Sequence, residues 1–177
     1  MQSSLFGQLV LQSQKEHLIE LAYTVLTEYP FEIQSIEIIN FGFNVTFKVV
    51  TEKNEMFALR INVNSHRTLE NLHGEIALVR FLSDRGAVNL PSPVASKNGE
   101  FALTVASALL GRDLGVALYS WLDGKELGDK PSEDALRKLG AAMAAMHQAT
   151  ANFTLPDNAQ LRSEEHTSEL QSPCNLV

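Results

Sequence analysis

One stretch, residues 33–61, constrains the fold more than any other part of the chain. Val45, Phe47 and Val49 alternate with Thr46, Lys48 and Val50, the period of two that a half-buried strand requires. Ile33, Ile36 and Ile38, set among Glu32, Gln34 and Glu37, give an earlier strand with imperfect alternation. Gly42-Phe43-Asn44 makes a tight turn between them. Glu52-Lys53-Asn54-Glu55 is a second turn, followed by a third strand from Met56 to Ile61 that carries Arg60 near its end. Connections this short cannot cross over to a parallel neighbour, so the three strands form an antiparallel meander.

Helices flank this meander. Residues 14–28 place Leu18, Ile19, Leu21, Ala22, Val25 and Leu26 at helical spacing. Ser13 is expected as the N-cap, with Glu16 completing a capping box, Pro30 as the stop, and the helix packing on the back of the sheet. After a polar loop, Ser65 or Thr68 caps a second helix to about Asp84. Its apolar stripe is Leu69, Leu72, Ile76, Val79 and Leu82, Gly86 closes it, and Glu75 lies inside it. The prolines of Leu90-Pro91-Ser92-Pro93 impose extended backbone. Residues 94–96 and 101–105 read as a hairpin around Lys97-Asn98-Gly99-Glu100, residues 106–115 as a loop, and Val116 to Trp121 as a fifth strand. Ser132 opens a third helix to about Gln148, with Glu133 and Asp134 in its first turn and Leu136, Leu139, Met143 and Met146 on one face. The expected class is α+β, with a five-stranded antiparallel sheet.

Composition narrows the function. The chain has 177 residues, 45% hydrophobic and 20% charged, as in soluble globular domains. Its net charge of −7 and the lack of a basic run argue against nucleic acid as a partner. No apolar stretch is long enough to span a bilayer, and the N-terminus lacks the basic region of a secretory signal. Cys174 is the only cysteine, which fits a reducing cytoplasm. His17, His66, His73 and His147 show no metal-ligand spacing, and no Walker A loop, Rossmann fingerprint or nucleophile elbow is present.

Residues 162–177 read Arg-Ser-Glu-Glu-His-Thr-Ser-Glu-Leu-Gln-Ser-Pro-Cys-Asn-Leu-Val. Through Ser172 this resembles, residue for residue, a translated short-read sequencing adapter. The expectation is that these residues are an artefactual, disordered tail and that the natural reading frame continues differently after Leu161. They are excluded from fold reasoning, as a fusion scar would be.

The chemistry-bearing residues lie in the meander and the second helix. Gly42 permits a close backbone approach to a ligand, and Asn44 can close the turn with its side chain. Taken alone, the pair reads more readily as a plain hairpin turn than as a phosphate-covering loop. Arg60 on a strand and Glu75 on the following helix are each ordinary surface charges when taken alone. Taken in order they supply a fixed cation for phosphate oxygens and a carboxylate to orient it.

The series Phe-Gly-Phe-Asn-Val-Thr-Phe-Lys-Val, Phe-Ala-Leu-Arg-Ile, His-Gly-Glu-Ile-Ala-Leu-Val-Arg-Phe-Leu, Leu-Pro-Ser-Pro-Val, Leu-Tyr-Ser-Trp-Leu-Asp-Gly-Lys-Glu-Leu and Leu-Gly-Ala-Ala-Met-Ala-Ala-Met-His-Gln resembles the N-terminal part of the aminoglycoside phosphotransferase and choline kinase-like small-molecule kinases. The resemblance covers residues 33–148. It implies a protein-kinase-like fold, with a nucleotide-binding lobe over residues 1–121, a hinge and linker over 122–131, and the start of a helical second lobe over 132–161. It also implies site roles. Gly42, Phe43 and Asn44 cover the phosphates, Arg60 contacts them, and Glu75 pairs with Arg60. Tyr119 lines the adenine pocket, and the backbone of Ser120 and Leu122 hydrogen-bonds adenine. ATP is the implied cofactor, and a small-molecule hydroxyl compound the implied acceptor. The His-Gly-Asp loop, its Asn and the later metal-binding Asp, which would hold Mg²⁺ in a full-length protein, do not occur in this chain. By that reading the chain itself is inactive. The alternative is a non-catalytic nucleotide-binding or partner-binding remnant.

Overall fold

The computed structural model describes residues 5–64, 67–86, 88–124, 128 and 130–160. The adapter-like stretch, the alternative cap Ser65 and part of the expected hinge lie outside the described residues. Five strands form one antiparallel sheet: β1 (Ile33–Phe41), β2 (Val45–Thr51), β3 (Met56–Ile61), β4 (Leu103–Ser107) and β5 (Arg112–Ser120), in the order β1-β2-β3-β5-β4. Three helices accompany them: α1 (Leu11–Leu26), α2 (Leu69–Arg85) and α3 (Glu133–Thr150).

The period-two runs sort the sheet into two faces. Val45, Phe47 and Val49 of β2, Leu59 and Ile61 of β3, and Leu114, Val116 and Leu118 of β5 all turn toward α1. There they meet Leu18, Ala22, Val25 and Leu26 in the main core. Burying a side chain of this size stabilises the fold by about 1.5–3 kcal/mol. The imperfect alternation of β1 has a structural cause. Its register against β2 shifts between Ile33 and Ser35 and again between Ile38 and Asn40, as bulges require. The opposite face carries Lys48, Ala58, Arg60, Ala117 and Tyr119. Of these, Ala117 and Tyr119 join Leu72, Ile76 and Ala102 in a second, smaller cluster beneath α2. Gly115 lets α2 approach β5 there, because a Cβ at Gly115 would stand 3.3 Å from Leu72 Cδ2.

α2 begins where its cap chemistry places it. Thr68 Oγ1 accepts from the Asn71 N–H and Asn71 Oδ1 accepts from the Thr68 N–H, a complete capping box. Glu70 occupies the first turn, and its carboxyl is held below its usual pKa, first by hydrogen bonding to Thr68. Gly86, at φ 60°, ends the helix in the left-handed conformation glycine tolerates best. Thr68→Ala is expected to cost about 1 kcal/mol of stability, measured by urea denaturation.

Four expectations are corrected. Ser13 does not cap α1, which starts at Leu11 with Val10 in the cap position and no side-chain cap. A short 3₁₀ turn at Phe6–Gln8 inserts Phe6 into the core and carries the helix start upstream. Gln14 is the polar side chain active there, donating to the carbonyls of Phe6 and Leu9. Residues 94–96 are not a strand. Val94 donates one bond to the Leu118 carbonyl, and Pro93 forms an isolated bridge to Tyr119. The true hairpin joins β4 to β5 and takes up most of the stretch read as a loop, turning at Gly111 with φ 67°. Leu69 is not in the core stripe, being 37% exposed at the first turn of α2. α3 contributes no buried residue, and Leu136, Leu139 and Met143 all stand exposed.

Candidate functional site

The α2 face of the sheet gathers the polar residues. Arg60 lies opposite Thr46 on one side and Ala117 on the other. Its Nη2 stands 2.5 Å from Glu75 Oε1, an ion pair with side chains 21% and 25% exposed. The other carboxylate oxygen of Glu75 takes Arg67 Nη1 at 2.9 Å. Tyr119 completes the group: its hydroxyl donates to Glu75 Oε1 at 3.3 Å and accepts from Arg60 Nη2 at 3.5 Å. The Arg60 guanidinium also lies 5.5 Å from the Tyr119 ring centroid. One carboxylate thus holds two guanidiniums and a phenol, which fixes the Arg60 fork in space.

Burial is the main reason the Tyr119 hydroxyl keeps its proton far above the ordinary tyrosine pKa. The charge of Glu75 adds to the effect and Arg60 opposes it. Tyr29, buried under the other face, is raised as well, again chiefly by burial. Both groups hold protons in the folded state that the unfolded chain releases above its pKa of about 10. The folded state then binds more protons than the unfolded one, so stability must fall as pH rises. The expected result is full tyrosine-linked stability below about pH 9 and a decline through pH 10–11, measured by urea midpoints across that range.

The turn at residues 42–44 sits at the same end of the sheet. It is closed by backbone, Gly42 N–H to Asn44 C=O at 3.1 Å, and not by the Asn44 side chain as expected. Asn64 ties it to the end of β3, donating from Nδ2 to the Gly42 carbonyl and from its backbone N–H to the Phe43 carbonyl. Gly42 and Phe43 are exposed, Phe43 at 78%. Asn44 Oδ1, Arg60 Nε and both polar atoms of the Asn62 side chain are buried without a hydrogen-bond partner among the described residues. These three residues lie at the facing ends of β2 and β3. Orphaned polar atoms of this kind mark places where a polar ligand or water completes the bonding. Arg60 Nε–H in particular is a donor on a fixed cation, which suits an anionic oxygen.

Ser120 ends β5. Its N–H donates to the Ser92 carbonyl, and its Oγ accepts from the Ser92 N–H. Leu122 lies just beyond and is 38% exposed. Lys48 stands over the Trp121 ring at 5.2 Å, on the same face as Arg60. Arg67, Asn64, Asn62, Lys48 and Trp121 were not singled out in the sequence. Asn64 and Asn62 sit in an irregular segment after β3, and no periodic signal marks them. A cavity of about 350 Å³ between α1, the start of α2 and β4 includes Glu28, His73 and Thr104 but none of the candidate residues.

A five-stranded antiparallel sheet with a strand cation, a helix carboxylate paired to it and a tight turn at the same end defines the nucleotide-lobe class of kinase-like proteins. The chain belongs to the phosphotransferase enzyme family (APH), whose profile matches residues 35–172. No curated protein sequence matches it. Among solved structures it is similar to a microcompartment-associated aminopropanol kinase, with a TM-score of 0.70 and 20% identity. That match covers 84% of this chain and 46% of the kinase. It is also similar to an amicoumacin kinase in complex with AMP-PNP, Ca²⁺ and amicoumacin, with a TM-score of 0.63 and 21% identity, over 84% and 45% of the two chains. The chain therefore spans less than half the length of these structures, and the likeness establishes the kinase-like fold.

Proposed function

We propose that this chain is the nucleotide-binding half of an ATP-dependent kinase that phosphorylates a hydroxyl group of a small molecule in the cytoplasm. The observation that carries the reading is the Arg60–Glu75–Tyr119 cluster, with a buried Nε–H, unpartnered among the described residues, on a guanidinium held in place by a carboxylate. In this reading Arg60 contacts the phosphates and residues 42–44 lie over them. Ala58, part-exposed across the strand pair from Tyr119, leaves a low surface for the base. The backbone of Ser120 and Leu122 hydrogen-bonds its edge, so the side chains there are free to vary. ATP supplies the phosphoryl group. Residues 1–121 form the nucleotide lobe, 122–131 the hinge, and 132–161 the start of the second lobe. No His-Gly-Asp with a following Asn occurs in the sequence, so this chain binds nucleotide without turning it over.

The test is calorimetric titration of the purified chain with AMP-PNP, beside a coupled assay for ADP release. Saturable binding with no turnover is the expected pair of results. Absence of binding by a folded chain overturns the nucleotide reading, and MgATP-dependent turnover overturns the inactivity.

A further inference from the structure

The segment that follows α3 turns back and lies along α2. The Phe153 ring meets the Phe81 ring edge-on at 5.1 Å. Residues 156–159 make a turn closed by the Ala159 N–H on the Pro156 carbonyl, and Ala159 is buried. Gln160 is held from two sides. Its N–H donates to the Glu70 carbonyl at 3.0 Å, and its carbonyl accepts from Asn71 Nδ2 at 3.3 Å. Asn71 is the residue whose Oδ1 completes the cap of α2, so one side chain joins the helix start to this segment.

Gly74 makes the contact possible. A Cβ there would stand 2.7 Å from the Gln160 carbonyl oxygen, 3.4 Å from its carbon and 3.5 Å from Leu155 Cδ1. The nearest of these is a backbone atom, which cannot rotate away as a side chain would. A glycine inside a helix costs about 1 kcal/mol relative to alanine, and this close approach is the structural reason for one here. Gly74 immediately precedes Glu75. Whatever sets the height and rotation of this turn of α2 also sets where the carboxylate meets Arg60.

We propose that residues 153–160 are a positioning strap and that Gly74, Asn71 and Gln160 are positioning residues. Docked on α2, the strap holds Glu75 against Arg60 and so tunes nucleotide affinity from outside the site. The proposal rests on the nucleotide reading given above.

The experiment titrates AMP-PNP into the wild-type chain, Gly74→Ala, Arg60→Ala and the double variant, with hydrogen exchange of the α2 amides followed in each. Gly74→Ala is expected to weaken binding roughly tenfold, because a displacement of about an ångström at a positioned group has effects of this order. In the Arg60→Ala background the same change is expected to have no further effect, since the residue through which the strap acts is gone. A purely structural role predicts equal losses in both backgrounds, and that result overturns the proposal. So does unchanged affinity in a folded Gly74→Ala chain. Gln160→Pro, which removes the N–H donated to Glu70 and also fixes φ at that position, serves where Gly74→Ala does not fold, with the same expected pattern. If the wild-type chain binds no nucleotide, the functional reading fails and hydrogen exchange decides the strap alone. Faster exchange at residues 72–79 in the variant supports it, and unchanged exchange overturns it.

Discussion

Arg60→Ala is expected to lower nucleotide affinity by roughly ten- to hundredfold, the size that follows when a hydrogen bond to a charged group is removed. Arg60 is the strand cation whose Nε–H is buried without a partner among the described residues, so in the proposed reading a phosphate oxygen gains a donor at little reorganisation cost. The effect on stability is much smaller. Glu75 keeps Arg67 at 2.9 Å and the Tyr119 hydroxyl at 3.3 Å, so its charge is not stranded, and the loss from a pair with side chains 21% and 25% exposed stays on the order of 1 kcal/mol. Arg60→Lys retains the charge but loses the planar fork that, in the proposed reading, bridges Glu75 and the phosphates, and an intermediate loss is expected. Calorimetric titration with AMP-PNP, alongside thermal unfolding, separates the two quantities. Equal affinities for wild type and Arg60→Ala would remove Arg60 from the site.

The largest expected effect on stability is that of Phe47→Ala, about 3–5 kcal/mol. Phe47 is fully buried at the centre of β2, facing α1, and pairs across the sheet with Leu59 and Ile38. Its neighbours belong to three strands and a helix and cannot all close in on the space left by a phenyl ring. The loss comprises the transfer free energy of the ring and the cavity left behind. Set against a typical total of about 5–15 kcal/mol, it removes roughly a fifth of the stability or more. Urea denaturation followed by circular dichroism measures it. A change below about 1 kcal/mol would show that this face of β2 is not the core.

How far the sequence was legible depended on the range of each interaction. β3 and α2 were readable almost to the residue, because the turn at residues 52–55 and the Thr68 and Gly86 caps are local signals. The β4–β5 hairpin was not. Its register pairs Leu103 with Val116 and Val105 with Leu114, while Gly111, Arg112, Asp113 and Gly115 disguise the strand between them. Ser13 failed as a cap because a tertiary contact, Phe6 in the core, outweighed a weak local preference.

The candidate site divides the same way. Arg60 and Glu75 could be named from their order along the chain. That Arg67 shares the carboxylate, that Asn64 holds the turn at residues 42–44, and that Gln160 reaches back to Gly74 could not be read from it. Sequence alone determined the three-stranded meander, the three helices and the class of the fold, since period, cap chemistry and turn residues act within a few positions. Tertiary structure decided which charges meet, which polar atoms are buried without partners among the described residues and which glycine lies against a distant backbone carbonyl. Those outcomes depend on residues brought together across tens of positions, and close packing, not periodicity, selects them.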